Sequence, residues 1–225
     1  MKHQDFELYA KEKPFGPKMP ATWVTAFQEV SNNNNLGTDE LKVLDIGCGD
    51  GRIYPFLLGE GFVAKNIHGV EVSQSRVDRC HALGWENALY ILNGAKLPYL
   101  DGHFHIINFM EVIEHIPFGN IDAVLNELYR VLAEDGVLLI TTPNYPIKRF
   151  YDLYAAIILR KKERWHDDPT HVSLYNHYNL RNKLMKFFNK ITPRTFKDGF
   201  LYKYIPYKFF KHKIFFLCSL KNKQS

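Results

Sequence analysis

The stretch Val43-Leu44-Asp45-Ile46-Gly47-Cys48-Gly49-Asp50-Gly51-Arg52 constrains the fold more than any other part of this 225-residue chain. An apolar run long enough for one buried strand ends on three glycines spaced by single residues, and a helical pattern follows. Glycine at alternate positions lets the main chain turn tightly and lets a ligand approach the backbone, while the helix start offers unpaired N–H groups. The spacing is G-x-G-x-G, not the G-x-G-x-x-G of dinucleotide folds, which argues against a pyrophosphate ligand. About 20 residues after the turn, Glu71 closes a second apolar run, Gly69-Val70-Glu71-Val72-Ser73, where a carboxylate can accept from both hydroxyls of a ribose.

Around this motif, apolar runs alternate with amphipathic helical patterns, which is the pattern of a parallel α/β sheet. The expected strands are Leu41–Ile46, Asn66–Val72, Ala88–Leu92, Phe104–Met110 and Val137–Thr142. Expected helices are Ala21–Val30, one capped by Ser73 and ended by Gly84, and one capped by Asn120 with the stripe Ile121, Val124, Leu125, Leu128, Val131 and Leu132. Further on come Phe150–Leu159 and a helix capped by Asn176 with the stripe Leu180, Leu184, Phe187 and Phe188, ended by a left-handed Asn189. Lys190–Lys197 and Lys213–Lys221 read as a closing antiparallel pair around a loop near Pro206. The expected fold class is therefore α/β: a seven-stranded, mostly parallel sheet with an antiparallel last strand and helices on both faces. One domain fills residues 1–225, with a helical cap over 1–40, a binding core over 41–142, an insert over 143–177, and a closing helix and strands over 178–225.

Net charge is +5, and that figure conceals a split. Met1–Thr142 holds 11 basic and 19 acidic residues, whereas Pro143–Ser225 holds 18 basic and 5 acidic. The three cysteines are widely spaced with no C-x-x-C, so neither a disulfide framework nor a cysteine zinc site is expected. The N-terminus lacks an apolar core and no charge-free apolar run approaches the roughly 18 residues of a membrane span, so the expected compartment is the cytoplasm.

Met110-Glu111-Val112-Ile113-Glu114-His115-Ile116 ends the fourth expected strand, at the carboxyl edge where open α/β sheets bind ligands. Glu111, Glu114 and His115 are spaced so that one helical turn brings all three to a common side. Two chemistries suit them. His115 acts as a general base on a hydroxyl, tuned by a neighbouring carboxylate. Alternatively, the three groups ligate a divalent cation, with His171 of Asp167-Asp168-Pro169-Thr170-His171 as a fourth ligand.

On these motifs the chain resembles the class I S-adenosylmethionine-dependent methyltransferases from about Lys42 to Asn144, with a weaker likeness to Lys221. Asp45–Gly51 resembles that family's cofactor loop, Glu71 its ribose acid, Arg130-Val131-Leu132 through Gly136 to Thr142 its "R-V-L-x-x-G-G-x-L-x-x-x-x-P", and Leu92–Tyr99 its "G-D-A-x-x-L-P-F". Asn93 stands where that segment has Asp; an amide oxygen can still accept from the adenine amino group. Glu111–His115 is similar both to the "E-V-x-E-H" of ubiquinone-biosynthesis O-methyltransferases and to the metal-binding E-x-x-E-H of small-RNA 2′-O-methyltransferases. The resemblance implies a Rossmann-like fold with the insert over 143–177 as its substrate lid, and S-adenosyl-L-methionine as cofactor. Asp45, Gly47, Cys48 and Gly49 would form its loop, Glu71 and Val72 would lie at the ribose, Asn93 and Gly94 at the adenine, and Met110 and Glu111 at the sulfonium. Glu111, Glu114 and His115 are the catalytic candidates, and a divalent metal is the less favoured addition.

In that family the segment after the fifth strand forms the substrate lid, which here is about Pro143–Tyr175. It combines Tyr145, Phe150, Tyr151, Tyr154 and Trp165 with Lys148, Arg149 and Arg160-Lys161-Lys162. The expected acceptor is a small-molecule, glycan or lipid-linked hydroxyl of acidic character. An anionic membrane surface is a candidate partner, and nucleic acid ranks lower because no RNA-binding module is visible. The cross-class alternative is a non-catalytic nucleoside-binding module.

Overall fold

The computed structural model describes residues 19–92, 94–194 and 212–220. Its order is α1 (Ala21–Asn32), β1 (Val43–Ile46), α2 (Ile53–Gly59), β2 (Ile67–Glu71), α3 (Gln74–Ala82), β3 (Ala88–Tyr90), β4 (Phe104–Met110), α4 (Ile121–Val131), β5 (Leu132–Pro143), α5 (Ile147–Ile157), α6 (His177–Leu184), β6 (Lys190–Arg194) and β7 (Lys213–Ser219). The sheet order is β3-β2-β1-β4-β5-β7-β6. β1 to β5 pair in parallel, and β7 enters antiparallel between β5 and β6. This is the expected α/β class.

Successive strand residues alternate between two apolar clusters, as a sheet covered on both faces requires. Leu44, Ile107, Phe109 and Ile140 pack with Leu125, Leu128 and Val131 of α4 and Leu180 and Leu184 of α6. Val43, Ile106, Leu139 and Phe215 pack with Trp23 and Phe27 of α1, Ile53 and Leu57 of α2, and Trp85. The four buried side chains of α4, Ile121, Leu125, Leu128 and Val131, hold that helix down by roughly 6–12 kcal/mol of apolar burial before entropy is counted.

Ser73 caps α3 by accepting from the Arg76 N–H, and Gly84 follows it at φ 83°. Asn176 forms a reciprocal capping box with Asn179. Other expectations change. Asn120 makes no side-chain cap, and Leu132 leaves the helix to open β5, which begins five residues earlier than Val137. α5 starts at Ile147, not Phe150. α6 ends at Leu184, so Phe187 and Phe188 lie beyond it, and Asn189 is not left-handed; its amide instead donates to the Leu220 carbonyl. Thr195 to Lys197, the loop near Pro206, Lys221, residues 1–18 and Asn93 lie outside the described residues. Among the described residues no helix is long and apolar enough to cross a membrane.

Candidate active site

Strand order turns back on itself between β1 and β4, and open sheets take ligands at the carboxyl ends of strands beside such a switch. Here a cavity of about 650 Å³ opens, lined among others by Ile46 and Gly47 at the end of β1, Glu71 and Val72 at the end of β2, Gly94 after β3, Met110 and Glu111 at the end of β4, and Glu114, His115, His171 and Lys213. Its other walls are mostly apolar and include Ile91, Leu97, Val124 and Leu128.

Gly47 sits at φ 68°, and a Cβ there would lie 2.6 Å from Val112 Cγ2, so both backbone and space demand glycine. Glu71 is buried and ties the two loops together. One carboxylate oxygen accepts from the Gly49 N–H at 2.9 Å, and the other accepts from Val72 at 2.8 Å and Ser73 at 3.1 Å. A carboxyl group held by backbone donors is fixed in orientation, with lone pairs left for a diol.

Three of the expected loop residues do not line the cavity. Asp45 is buried beneath it, accepting from Asn108 Nδ2, while Asn108 Oδ1 accepts from the Trp23 indole N–H. Burial raises the Asp45 carboxyl to about 7, against the Asn108 hydrogen bond. Cys48 turns its side chain into the core, toward Trp85 and the bare Cα of Gly69. Gly49 serves Glu71 through its N–H. The loop is thus supported by α1 from below, a contribution no local motif announces.

Glu111, Glu114 and His115 do converge, but not on a helical turn. Glu111 adopts φ 55°, and Ile113–His115 is a short 3₁₀ turn. The strained Glu111 backbone aims its carboxylate at Thr141 Oγ1 (2.8 Å) and Lys213 Nζ (2.9 Å). Burial works against its charge, but Lys213 and these hydrogen bonds outweigh burial and hold its carboxyl below the usual range. Glu114 is more deeply buried; burial, then the charge of Glu111, push its carboxyl well up, while Thr142 Oγ1 donates to it at 2.9 Å.

The loop before α6 is stitched onto this turn. The Glu114 carbonyl accepts from the N–H groups of Val172 and Ser173, and Ser173 Oγ donates to the Ile116 carbonyl. His115 Nδ1 meets the Thr170 carbonyl at 3.1 Å, so that nitrogen carries the proton and Nε2 bears the lone pair. His171 is set the same way: the Tyr145 hydroxyl donates to Asp167 at 3.0 Å, so its oxygen accepts from His171 Nδ1 at 2.8 Å. Ligand atoms of Glu114, His115 and His171 lie within 4.8 Å of one another. Lys213, Tyr145, Asp167, Thr141 and Thr142 are members of this arrangement that sequence reasoning did not assign; Lys213 reaches it only because β7 pairs Lys213 with Pro143.

Burial is the first cause holding the imidazoles of His68, His103, His105, His115, His171 and His212 below the ordinary value. Below about pH 6.5 the unfolded chain takes up protons that these folded sites refuse, so stability falls as pH falls through the window between the unfolded and folded values. Asp45 and Glu114 act in the opposite sense, because their folded carboxyls take protons first. Replacing His68 by Gln removes one of the six, so the thermal midpoint of His68→Gln should fall less, or rise more, than that of the wild type between about pH 7.5 and about pH 5.5; an equal change in both contradicts a buried neutral imidazole at His68.

Comparison with known proteins agrees with the geometry. The family described as "Methyltransferase domain" matches residues 12–187. A ubiquinone biosynthesis O-methyltransferase of Rickettsia conorii is 28% identical over 154 residues, 64% of this chain and 47% of that protein. Another from Glaesserella parasuis is 31% identical over 126 residues, covering 53% and 52%. The chain thus spans about half the length of the curated relatives it matches. A solved S-adenosylmethionine-dependent methyltransferase from Archaeoglobus fulgidus shares the fold at TM-score 0.63 and 18% identity, covering 87% of this chain and 92% of that one. The buried diol acceptor Glu71, the close-approach glycine Gly47 and the apolar walls fit a nucleoside with a short charged arm. The chain belongs to the methyltransferase domain family.

Proposed function

We propose that the protein transfers a methyl group from S-adenosylmethionine to a hydroxyl of a small-molecule or lipid-linked acceptor. The observation that carries this reading is the convergence of Glu114, His115 and His171 on the wall of the same cavity that holds Glu71 and Gly47. The names of the curated relatives support oxygen as the acceptor atom.

The bound cofactor supplies a methyl on a sulfonium already activated for displacement. The chain therefore has to position the acceptor, exclude water and take one proton. Gly47 and Glu71 hold the nucleoside end, and Met110 and Glu111 stand at the end of β4 between it and the histidines. A neutral His115, its Nδ1 proton committed to Thr170, presents Nε2 to accept the hydroxyl proton. His171 is oriented by Tyr145 and Asp167 and lines the same wall.

A second reading places a divalent cation on Glu114, His115 and His171. The matched tautomers favour it, because both side chains turn Nε2 lone pairs away from their second partners, as metal-ligating imidazoles do. Imidazole and carboxylate together suit a first-row transition metal. Glu111, which the sequence offered as a further ligand, is engaged by Lys213 instead.

The test is labelled-methyl transfer from S-adenosylmethionine into separated lipid, small-molecule and RNA fractions of the host. Label is expected in the lipid or small-molecule fraction as a methyl ether. Label in RNA replaces the acceptor class, and cofactor binding with no label in any fraction supports the non-catalytic nucleoside-binding module.

A further inference from the structure

Helix α5 is turned the opposite way from α4 and α6. Its charged side chains point inward: Asp152 is buried and paired with Lys148 at 2.7 Å and Arg164 at 2.9 Å, and Lys148 also pairs with Asp167. Its apolar row points out. Phe150, Tyr154, Ile157 and Ile158 fall at i, i+4, i+7 and i+8, which is one helical face, and Leu159, just past the helix, is exposed as well. Phe150 is 65% exposed and Ile157 and Ile158 each 60%. α4 and α6 bury the corresponding rows against the sheet.

The segment that follows is as polarised as the helix. Arg160, Lys161, Lys162 and Arg164 are all exposed, and Trp165, also exposed, stands beside them. The Arg149 guanidinium donates to the carbonyls of Arg164 and Trp165, which fixes this basic turn against the helix.

We propose that the outer face of α5 and the basic turn after it dock on an anionic lipid bilayer. An exposed apolar row flanked by a cluster of cations is complementary to acyl chains beneath negatively charged headgroups. Eleven residues make a helix about 16 Å long, which suits lying in the plane and not crossing it. Tyr154 and Trp165 have the apolar body and polar tip that settle at the headgroup level. The same helix is tied through Lys148 and Asp167 to Tyr145 and so to His171, so docking would set the wall of the cavity beside the membrane surface. The surface reading is independent of the acceptor: a protein that binds vesicles but methylates only soluble hydroxyls would keep it.

The test is sedimentation of the full chain with phosphatidylglycerol-containing vesicles and with phosphatidylcholine vesicles at low salt. Binding is expected to the anionic vesicles at least tenfold above the neutral ones. The double variant Lys161→Ala with Lys162→Ala should lower it roughly 30-fold, at about fivefold per basic residue near the surface. Ile157→Glu with Ile158→Glu should abolish binding without changing the thermal midpoint, because both side chains are already in water. Equal binding to the two vesicle types overturns the proposal, as does full binding by either double variant. Sensitivity to the lysines alone marks a charge-only ligand such as RNA and overturns it. Self-association of the wild type that Ile157→Glu disrupts overturns it in favour of a second copy of the chain.

Discussion

Glu71→Ala is expected to weaken S-adenosylmethionine binding by roughly 100-fold or more. Two charge-assisted hydrogen bonds to a ribose diol are each worth about 1.5–3 kcal/mol, and both are lost. The substitution also releases the Gly49, Val72 and Ser73 N–H groups, so part of the effect is loosening of the loops. A double-mutant cycle separates the two. Calorimetry should compare S-adenosylhomocysteine with its 3′-deoxyribose analogue on the wild type and on Glu71→Ala. The missing hydroxyl should penalise the wild type and leave the variant nearly indifferent. Unchanged affinity in Glu71→Ala, or a hydroxyl penalty that persists in it, removes Glu71 from the ribose.

The side of the cavity built by β1 and β2 was legible because its signals are local. A strand must end before a tight turn can begin, so the glycines that mark the turn also mark the strand edge, and Glu71 follows at the next strand end by topology alone. The periodic stripe of α4 was readable for the same reason. What escaped were contacts created by pairing distant segments. Lys213 meets Glu111 because β7 inserts antiparallel beside β5, and no spacing in the sequence predicts a partner about a hundred residues away. Likewise, Trp23 reaches Asp45 through Asn108 only because α1 packs under β1 and β4. The Glu111, Glu114 and His115 grouping was anticipated on helical spacing, yet it forms through a left-handed Glu111 and a 3₁₀ turn.

The inverted α5 shows the limit of composition from another side. Apolar residues followed by lysines are equally compatible with a buried helix and a basic surface. The register that sends Asp152 and Lys148 inward decides between them, because a buried acid of that kind must find partners and Lys148 and Arg164 supply them. Two of the lid's six cations, Lys148 and Arg164, converge on that one buried carboxylate, and Arg160, Lys161 and Lys162 are exposed beside it.

His115→Ala should lower kcat by about 100- to 10,000-fold, the range general-base catalysis supplies, with little change in the KM for S-adenosylmethionine, whose proposed contacts line the cavity at the ends of β1 and β2. Chelation then tells the two chemistries apart. In the base reading, activity of the wild type is indifferent to a chelator, because proton transfer to His115 Nε2 uses no cation. Phe substituted for Tyr145 should then cost far less than His115→Ala, because it removes only the hydroxyl that orients His171. In the metal reading, chelation abolishes activity, a first-row divalent ion restores it, and His171→Ala raises the concentration of ion needed by about 10- to 100-fold or more. Loss on chelation with recovery on adding metal would overturn the proton-transfer assignment of His115, whereas full activity under chelation together with a large loss in His115→Ala would establish it.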